Sequence, residues 1–183
     1  QQGAQLNTLI GYEAGTALTS GAVNTIVGGR GMKTATTSNS NSGLGYGVFS
    51  LLTTGSQNVA VGRDTLVSLT TASNNVAVGY EAGYSNVTGV QNVYLGAQAG
   101  RVSTATQNTF LGYYAGRNNT SGGANTFIGE SSGNLVTTGT KNTILGRYSG
   151  NQNGFDIRTL SNNIVLSDGD GVPAYFRQGS TGH

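Results

Sequence analysis

A motif of five residues, an asparagine followed by three residues and then a glycine, repeats along this chain of 183 residues. It reads NVAVG at Asn58 and again at Asn75, which is 17 residues later. Successive regular copies are all 17 residues apart except for one step of 16. A constant period over most of a chain is typical of a solenoid, whose repeats stack as rungs. The nine regular copies begin at Asn7, Asn24, Asn41, Asn58, Asn75, Asn92, Asn108, Asn125 and Asn142, and a looser tenth copy begins at Asn163.

The composition favours short strands and turns over helices. The chain has 31 Gly and one Pro, and its aliphatic residues occur singly or in short runs. We therefore expect a soluble, all-β protein with no amphipathic helix and no membrane insertion. Because cysteine is absent, neither disulfides nor thiolate metal sites can hold the fold. The net charge of +2 comes from scattered basic residues, so we expect no nucleic-acid partner, which would need a basic stripe.

The repeat predicts the geometry of one coil. Alternate residues of a strand share a face, so we expect the first and third residues after the asparagine, such as Val59 and Val61, to line the interior. The motif glycine is expected to turn the chain with positive φ, and the asparagines to form either an amide ladder or a turn bond to the backbone. A threonine column further along each repeat predicts a second, shorter strand before a return turn. The column consists of Thr19, Thr36, Thr53, Thr70, Thr104, Thr120 and Thr137.

The middle residue of the motif is then expected to point away from the interior. Tyr94, Phe110 and Phe127 occupy this position on adjacent rungs, and aromatic side chains bury about 150–250 Å² each. An exposed column of this size exceeds the apolar patch of a usual monomer, and identical neighbours around a symmetry axis would cover it. The predicted interface between copies consists of Ala60, Ala77, Tyr94, Phe110, Phe127 and Ile144.

The repeats resemble those of a known group of proteins. Motifs such as NVAVG and NTFLG, followed after two residues by a small residue and glycine, are similar to the β-roll heads of trimeric autotransporter adhesins and to related repeats of bacteriophage tail fibres. The resemblance covers residues 7–150 and implies a left-handed parallel β-roll of nine to ten rungs, assembled as a homotrimer. The small-residue pairs are Ala82-Gly83, Ala115-Gly116 and Ser149-Gly150.

The end of the chain favours the phage family. In SNNIVLSDGDG, at residues 161–171, Ser167 replaces the motif glycine. This copy resembles the segment that closes such repeats in tail fibres, often before a self-cleaving intramolecular chaperone of the endosialidase type. No coiled-coil stalk or membrane anchor follows, so we expect a virion tail fibre, with the head of an autotransporter adhesin on the bacterial cell surface as the alternative. We divide the chain into a β-roll domain, residues 1–150, and a C-terminal cap or transition segment, residues 151–183.

Catalytic and metal-binding residues are scarce. The single histidine, His183, is the last residue, and the stretch containing Asp168 and Asp170 has too few ligands for calcium, so we expect a turn there and neither metal nor cofactor. Asp64 and Glu81 occupy the same position on neighbouring rungs, which leaves a tailspike-like glycan hydrolase as an alternative. The threonine column leaves an ice-binding solenoid as another. We expect a protein that is not an enzyme.

Two groups of exposed residues are candidates for binding a receptor. Tyrosine and arginine stack on sugar rings, bond their hydroxyls and also anchor protein interfaces, so either group could instead cover a subunit groove or cap the strand edge. We expect a shaft or receptor-binding module that attaches to a bacterial surface glycan or outer-membrane receptor. The first group follows the motif glycine and consists of Tyr12, Tyr46, Tyr80 and Tyr113; the second, beyond the regular rungs, consists of Phe155, Arg158, Tyr175 and Arg177.

Overall fold

A computed structural model describes residues 6–179 of the chain, so His183 and both outer ends of the predicted domains lie outside the described residues. Within this range the secondary structure consists of strands joined by turns, and no helix is long and apolar enough to cross a membrane. The strands are β1 (Thr8–Ile10), β2 (Thr25–Val27), β3 (Ser42–Leu44), β4 (Val59–Val61), β5 (Val76–Val78), β6 (Val93–Leu95), β7 (Thr109–Leu111), β8 (Thr126–Ile128), β9 (Thr143–Leu145), β10 (Asn151–Gln152), β11 (Phe155–Asp156), β12 (Ile164–Ser167) and β13 (Pro173–Arg177).

The predicted parallel solenoid is confirmed. Strands β1 to β9 and then β12 form one parallel sheet in chain order, and each motif position pairs with the same position of the next rung. For example, Val76 lies opposite Val93 and Val78 lies opposite Leu95. The winding therefore makes about nine turns, each of 17 residues apart from one step of 16 and a last step of 21. The left-handed sense that the resemblance implies stays a prediction.

Each strand is short because a turn lies on both sides of it. The motif glycines have φ between 109° and 140°, which confirms the predicted positive φ. A Cβ on Gly79 would lie 2.6 Å from the carbonyl carbon and oxygen of Gly96, so the close stacking of rungs also demands glycine. On the other side, the residue before each asparagine is left-handed, as in Asn74 with φ of 63°.

Rung-to-rung hydrogen bonds continue outside the strands, but the predicted second strand was wrong. In the threonine column, the backbone N–H and the Oγ1 of Thr53 both donate to the carbonyl oxygen of Thr70, at 2.8 and 3.0 Å. The same pair of bonds joins Thr36 to Thr53 and Thr120 to Thr137. Because the segment bends at these residues, it does not form the run of alternate backbone bonds that defines a strand.

The predicted asparagine ladder is confirmed. Asn75 Oδ1 accepts hydrogen bonds from the backbone N and from Nδ2 of Asn92, at 3.0 and 3.1 Å. Asn75 Nδ2 donates across the coil to the carbonyl oxygen of Gly89, at 3.0 Å. The asparagine side chain therefore ties its own rung shut and also fixes the next rung above it. Since these amides are buried, each bond pairs groups that water cannot reach.

The structure reverses the predicted orientation of the strands. The middle residues of the motif point into the coil, and Tyr94, Phe110 and Phe127 have no exposed surface even in a single chain. The flanking residues, such as Val76 and Val78, lie on the outside. The prediction that these flanking residues line the interior was wrong. A strand of three residues between two turns curves around a narrow interior, and this interior has room for its central side chain alone.

Large and small residues alternate across the interior. Phe110 packs over Gly116, where a Cβ would lie 2.5 Å from the phenylalanine ring. The sizes are exchanged on an earlier rung, where a Cβ on Gly43 in the strand would lie 3.4 Å from Phe49 on the far side. Most rungs therefore hold one large side chain from one wall or the other, although the rung of Ile26 and Met32 holds two and the rung of Ala77 and Gly83 holds none. Tyr94, Phe110 and Phe127 form a continuous stack, with ring centroids 5.6 and 4.9 Å apart.

The parallel stack continues beyond residue 150. Asn163 extends the asparagine ladder, because its backbone N donates to Asn142 Oδ1 at 2.9 Å, and β12 pairs in parallel with β9. The intervening insertion forms the antiparallel hairpin of β10 and β11. Finally, β13 pairs antiparallel with β12 and covers the edge of the last parallel strand. The division into two domains at residue 150 stays a prediction.

Candidate functional site

An uncharged surface runs along the outward side of the parallel sheet, and we call it the outer face. It is formed by the first and third residues of each strand. The third position is aliphatic on every rung, and no residue in either column is charged. Ten rungs about 4.8 Å apart make this stripe about 43 Å long. The third-position residues are Ile10, Val27, Leu44, Val61, Val78, Leu95, Leu111, Ile128, Leu145 and Leu166.

The outer face is exposed to solvent in the single chain. Val78 is 38% exposed and Leu111 is 42% exposed, and the remaining third-position residues are exposed or half-buried. A shallow depression of about 250 Å³ lies between β2 and β4, where Ser42 is smaller than the neighbouring Val59. A long uncharged stripe of this kind is characteristic of a surface that another protein covers.

The residues predicted to form the interface between copies are not on this face. Ala60, Ala77, Tyr94, Phe110, Phe127 and Ile144 are all fully buried inside one chain. They cannot contact a second copy, so their assignment to a trimer interface was wrong for the same reason as the strand orientation. The flanking positions, which we expected inside, are the ones that a partner could cover. Sequence reasoning recognised that both strand faces are apolar but exchanged their roles.

The four tyrosines that follow the motif glycine do reach solvent, as expected. Tyr12, Tyr46, Tyr80 and Tyr113 are 72%, 47%, 44% and 48% exposed, respectively. They lie at the turn beside the outer face, on every second rung. The Tyr80 hydroxyl donates to Glu81 at 2.8 Å, and this hydrogen bond raises the pKa of Tyr80.

The two carboxylates considered for a hydrolase are engaged by neighbouring side chains. Asp64 pairs with Arg63 at 3.0 Å. Glu81 accepts from Arg101 at 2.6 Å and from Gln98 at 2.9 Å. Burial acts to raise the pKa of Glu81, but the hydrogen bonds from Arg101, Tyr80 and Gln98 outweigh it and leave the pKa lowered. A lowered pKa suits a permanent anion and is the opposite of what a catalytic general acid needs.

The candidate residues at the C-terminal end divide between packing and exposure. The Phe155 ring packs against Tyr148 and Phe176, with centroid distances of 5.6 and 4.4 Å. The guanidinium of Arg158 forms a two-pronged ion pair with Asp156, at 3.0 and 2.7 Å. In β13, Tyr175 and Arg177 are exposed. Phe155 therefore anchors the hairpin to the core, whereas the other three residues remain accessible.

No three of the described His, Asp and Glu side chains come together as a possible metal site. The sequence analysis missed that a large residue on one wall of the interior often faces a small one on the other wall. This pairing was visible in the sequence, because a large and a small residue lie six positions apart in both Gly43 with Phe49 and Phe110 with Gly116. Comparison with known proteins adds no family to this description, because no protein-family model, curated protein or solved structure matches the chain.

Proposed function

We propose that this chain assembles as a homotrimer through its outer face and serves as a non-enzymatic module of a bacteriophage tail fibre. In this role it attaches the virion to a glycan or outer-membrane receptor on the surface of a bacterial host. The observation that carries the proposal is the uncharged aliphatic stripe that runs along all ten parallel strands. The resemblance of the repeats to phage fibres supplies the biological setting.

A second copy of this chain is the partner that best fits the outer face. Any partner that covers the outer face must present apolar groups that repeat about every 4.8 Å along ten rungs. Another copy has this same period, so Val78 and Leu111 would meet aliphatic side chains at the matching height. Three rods arranged around an axis parallel to their length would bury all three stripes together.

A trimeric rod suits attachment. Backbone and side-chain bonds join each rung to the next around the whole coil, which makes the rod a stiff spacer. Three identical chains present three copies of every surface site, so weak binding at one site becomes firm attachment through effective concentration. The head of a bacterial trimeric autotransporter adhesin is the alternative, because the same repeats resemble it. The gene sequence after His183 distinguishes the two, since one continues into a chaperone and the other into a membrane anchor.

The remaining alternatives have less support. A retaining or inverting glycan hydrolase needs a carboxyl group that holds a proton near neutral pH, whereas the pKa values of Glu13, Glu81 and Asp156 are all lowered. An ice-binding face needs threonine hydroxyls free to meet ice. In this chain the hydroxyls of Thr53 and Thr120 donate to backbone carbonyls of the next rung.

Replacing Val78 and Leu111 together by aspartate is expected to dissociate the trimer without unfolding the chain. Both side chains are partly exposed in a single chain, but three pairs of carboxylates would meet in a dry interface, where unpaired charge is costly. Light scattering should give the parent a mass of three times 18.6 kDa and the variant a mass of 18.6 kDa. Circular dichroism should show that the variant keeps its β-structure.

The matched control is Thr71→Asp combined with Ser121→Asp, which places the same two charges on the exposed threonine-rich turn. This control should keep the mass of the parent. Fluorescently labelled parent and control should adhere to cells of at least one isolate in a bacterial panel, and the dissociated variant should lose most of this adhesion. A parent mass of 18.6 kDa, or a double variant that stays trimeric, would contradict the proposed assembly. Failure of the trimeric parent to bind any isolate would contradict the attachment function.

A further inference from the structure

We propose that Tyr12, Tyr46, Tyr80 and Tyr113, here called the tyrosine ladder, bind a linear, neutral, β-1,4-linked glycan that lies along the rod. This inference rests on the proposed attachment function and names both the class of ligand and its direction. The ladder residues occupy one position of the repeat, directly after the motif glycine. All four rings lie on the surface, with 44% to 72% of each residue exposed.

The fold does not require tyrosine at this position. The intervening rungs carry Gly29, Arg63, Ala97 and Glu130 in the same place, and their backbones stack in the same register. An aromatic ring at every second rung is therefore not a packing requirement. A large ring held partly in solvent, where a glycine serves the fold equally well, is the pattern expected of a binding surface.

The residues beside the rings differ from rung to rung, and the Tyr114 ring stacks on Tyr113 with ring centroids 3.8 Å apart. Tyr46 leans over Gly29, where a Cβ would lie 3.3 Å from the tyrosine ring. The Arg63 guanidinium lies 6.0 Å from the centre of the Tyr80 ring. Because the ladder residues recur on every second rung, successive rings lie about 9.6 Å apart along the rod.

This spacing matches the geometry of an extended β-1,4-linked glycan. In such a chain each sugar is turned over relative to the one before it, so every second ring presents the same flat C–H face. The advance over two sugars is close to the distance between two ladder rings. A single glycan chain could therefore stack one sugar on each tyrosine in turn, without a change in direction.

Polar groups beside the ladder can bond the sugar hydroxyls. Asp64, Glu81 and Gln98 follow the ladder position on consecutive rungs, and Tyr80 already shares a hydrogen bond with Glu81. Arg63 and Arg101 balance the two carboxylates, at 3.0 and 2.6 Å. The other cations beside the ladder are also engaged, because Arg30 and Lys33 share Glu13 and Arg117 donates to Gln98. Cations that already have partners favour a neutral glycan over an anionic one.

The test is a calorimetric titration of the assembled protein with the β-1,4-linked hexasaccharides cellohexaose and chitohexaose. The disaccharides cellobiose and chitobiose test whether binding needs a long chain, and α-linked maltohexaose tests whether it needs an extended one. We expect at least one β-linked hexasaccharide to bind at least tenfold more tightly than its disaccharide and than α-linked maltohexaose. Tyr46→Ala combined with Tyr80→Ala should weaken this binding at least tenfold. Leu51→Ala, which removes a large exposed side chain outside the ladder, should leave it unchanged.

The inference is overturned if neither hexasaccharide binds better than its disaccharide, or if the ladder variant binds like the parent. It is also overturned if the ladder variant dissociates, because the tyrosines would then belong to the subunit interface. Bacterial adhesion separates this inference from the proposed function. A ladder variant that adheres to cells as well as the parent refutes the glycan-binding role of the ladder but leaves the attachment function standing. Conversely, a parent protein that is monomeric, binds the hexasaccharide and adheres to no cells refutes the attachment function.

Discussion

Replacement of Asn75 by alanine is expected to lower the free energy of unfolding by about 1–3 kcal/mol, because the buried backbone N–H of Asn92 loses the partner that the Asn75 side chain supplies at 3.0 Å. The carbonyl oxygen of Gly89 also loses a bond from Asn75, at 3.0 Å, but it keeps the one that Asn86 Nδ2 donates at 3.0 Å. Asn92 lies inside the stack, where water cannot replace the amide. A change of this size is a large part of the stability of a typical domain.

Urea unfolding followed by circular dichroism, at one fixed protein concentration, measures this effect. Thr88→Ala is the matched control, since it removes a polar side chain from the exposed turn of the same rung. The control should unfold at nearly the same urea concentration as the parent. If Asn75→Ala unfolds together with the control, the amide ladder contributes little and the backbone bonds alone hold the stack.

The alternation of sizes across the interior is expected to make two damaging substitutions compensate each other. Phe110→Ala should cost about 3–5 kcal/mol through the cavity it leaves. Gly116→Leu should also destabilise the chain, because its Cβ would lie 2.5 Å from the Phe110 ring. Together they reproduce the natural pair of Ala60 and Leu66, in which leucine tolerates the left-handed backbone at φ of 49°.

The double variant should therefore be more stable than the sum of the two single losses predicts, by about 2 kcal/mol, as expected for residues in contact. The same urea titrations measure this coupling. Phe110→Ala combined with Gly133→Leu is the control, because Gly133 faces Phe127 on the next rung. That pair should show no rescue. Equal behaviour of the two double variants would mean that the interior is too loosely packed to match residues rung by rung.

The chemical features that act locally were predictable from the sequence. The 17-residue period identified the stack of rungs, since nine regularly spaced copies of one motif are the signature of a solenoid. Glycine at the motif end identified a left-handed turn, because a side chain is strained at such φ values. The asparagine column identified a ladder, because identical amides one rung apart can bond each other. The exposure of Tyr46 and Tyr80 also followed, since both lie at a turn.

The tertiary structure alone decided which face of the strand is inside. Both faces are apolar, and a period of two residues describes the two orientations equally well, so the pattern contains no information that separates them. The curvature of the coil resolves this ambiguity, because a three-residue strand between turns leaves space for one inward side chain. It places Phe110 in the core and Leu111 on the surface. The location of the candidate interface depends entirely on this curvature, a property of the closed coil that no single repeat expresses.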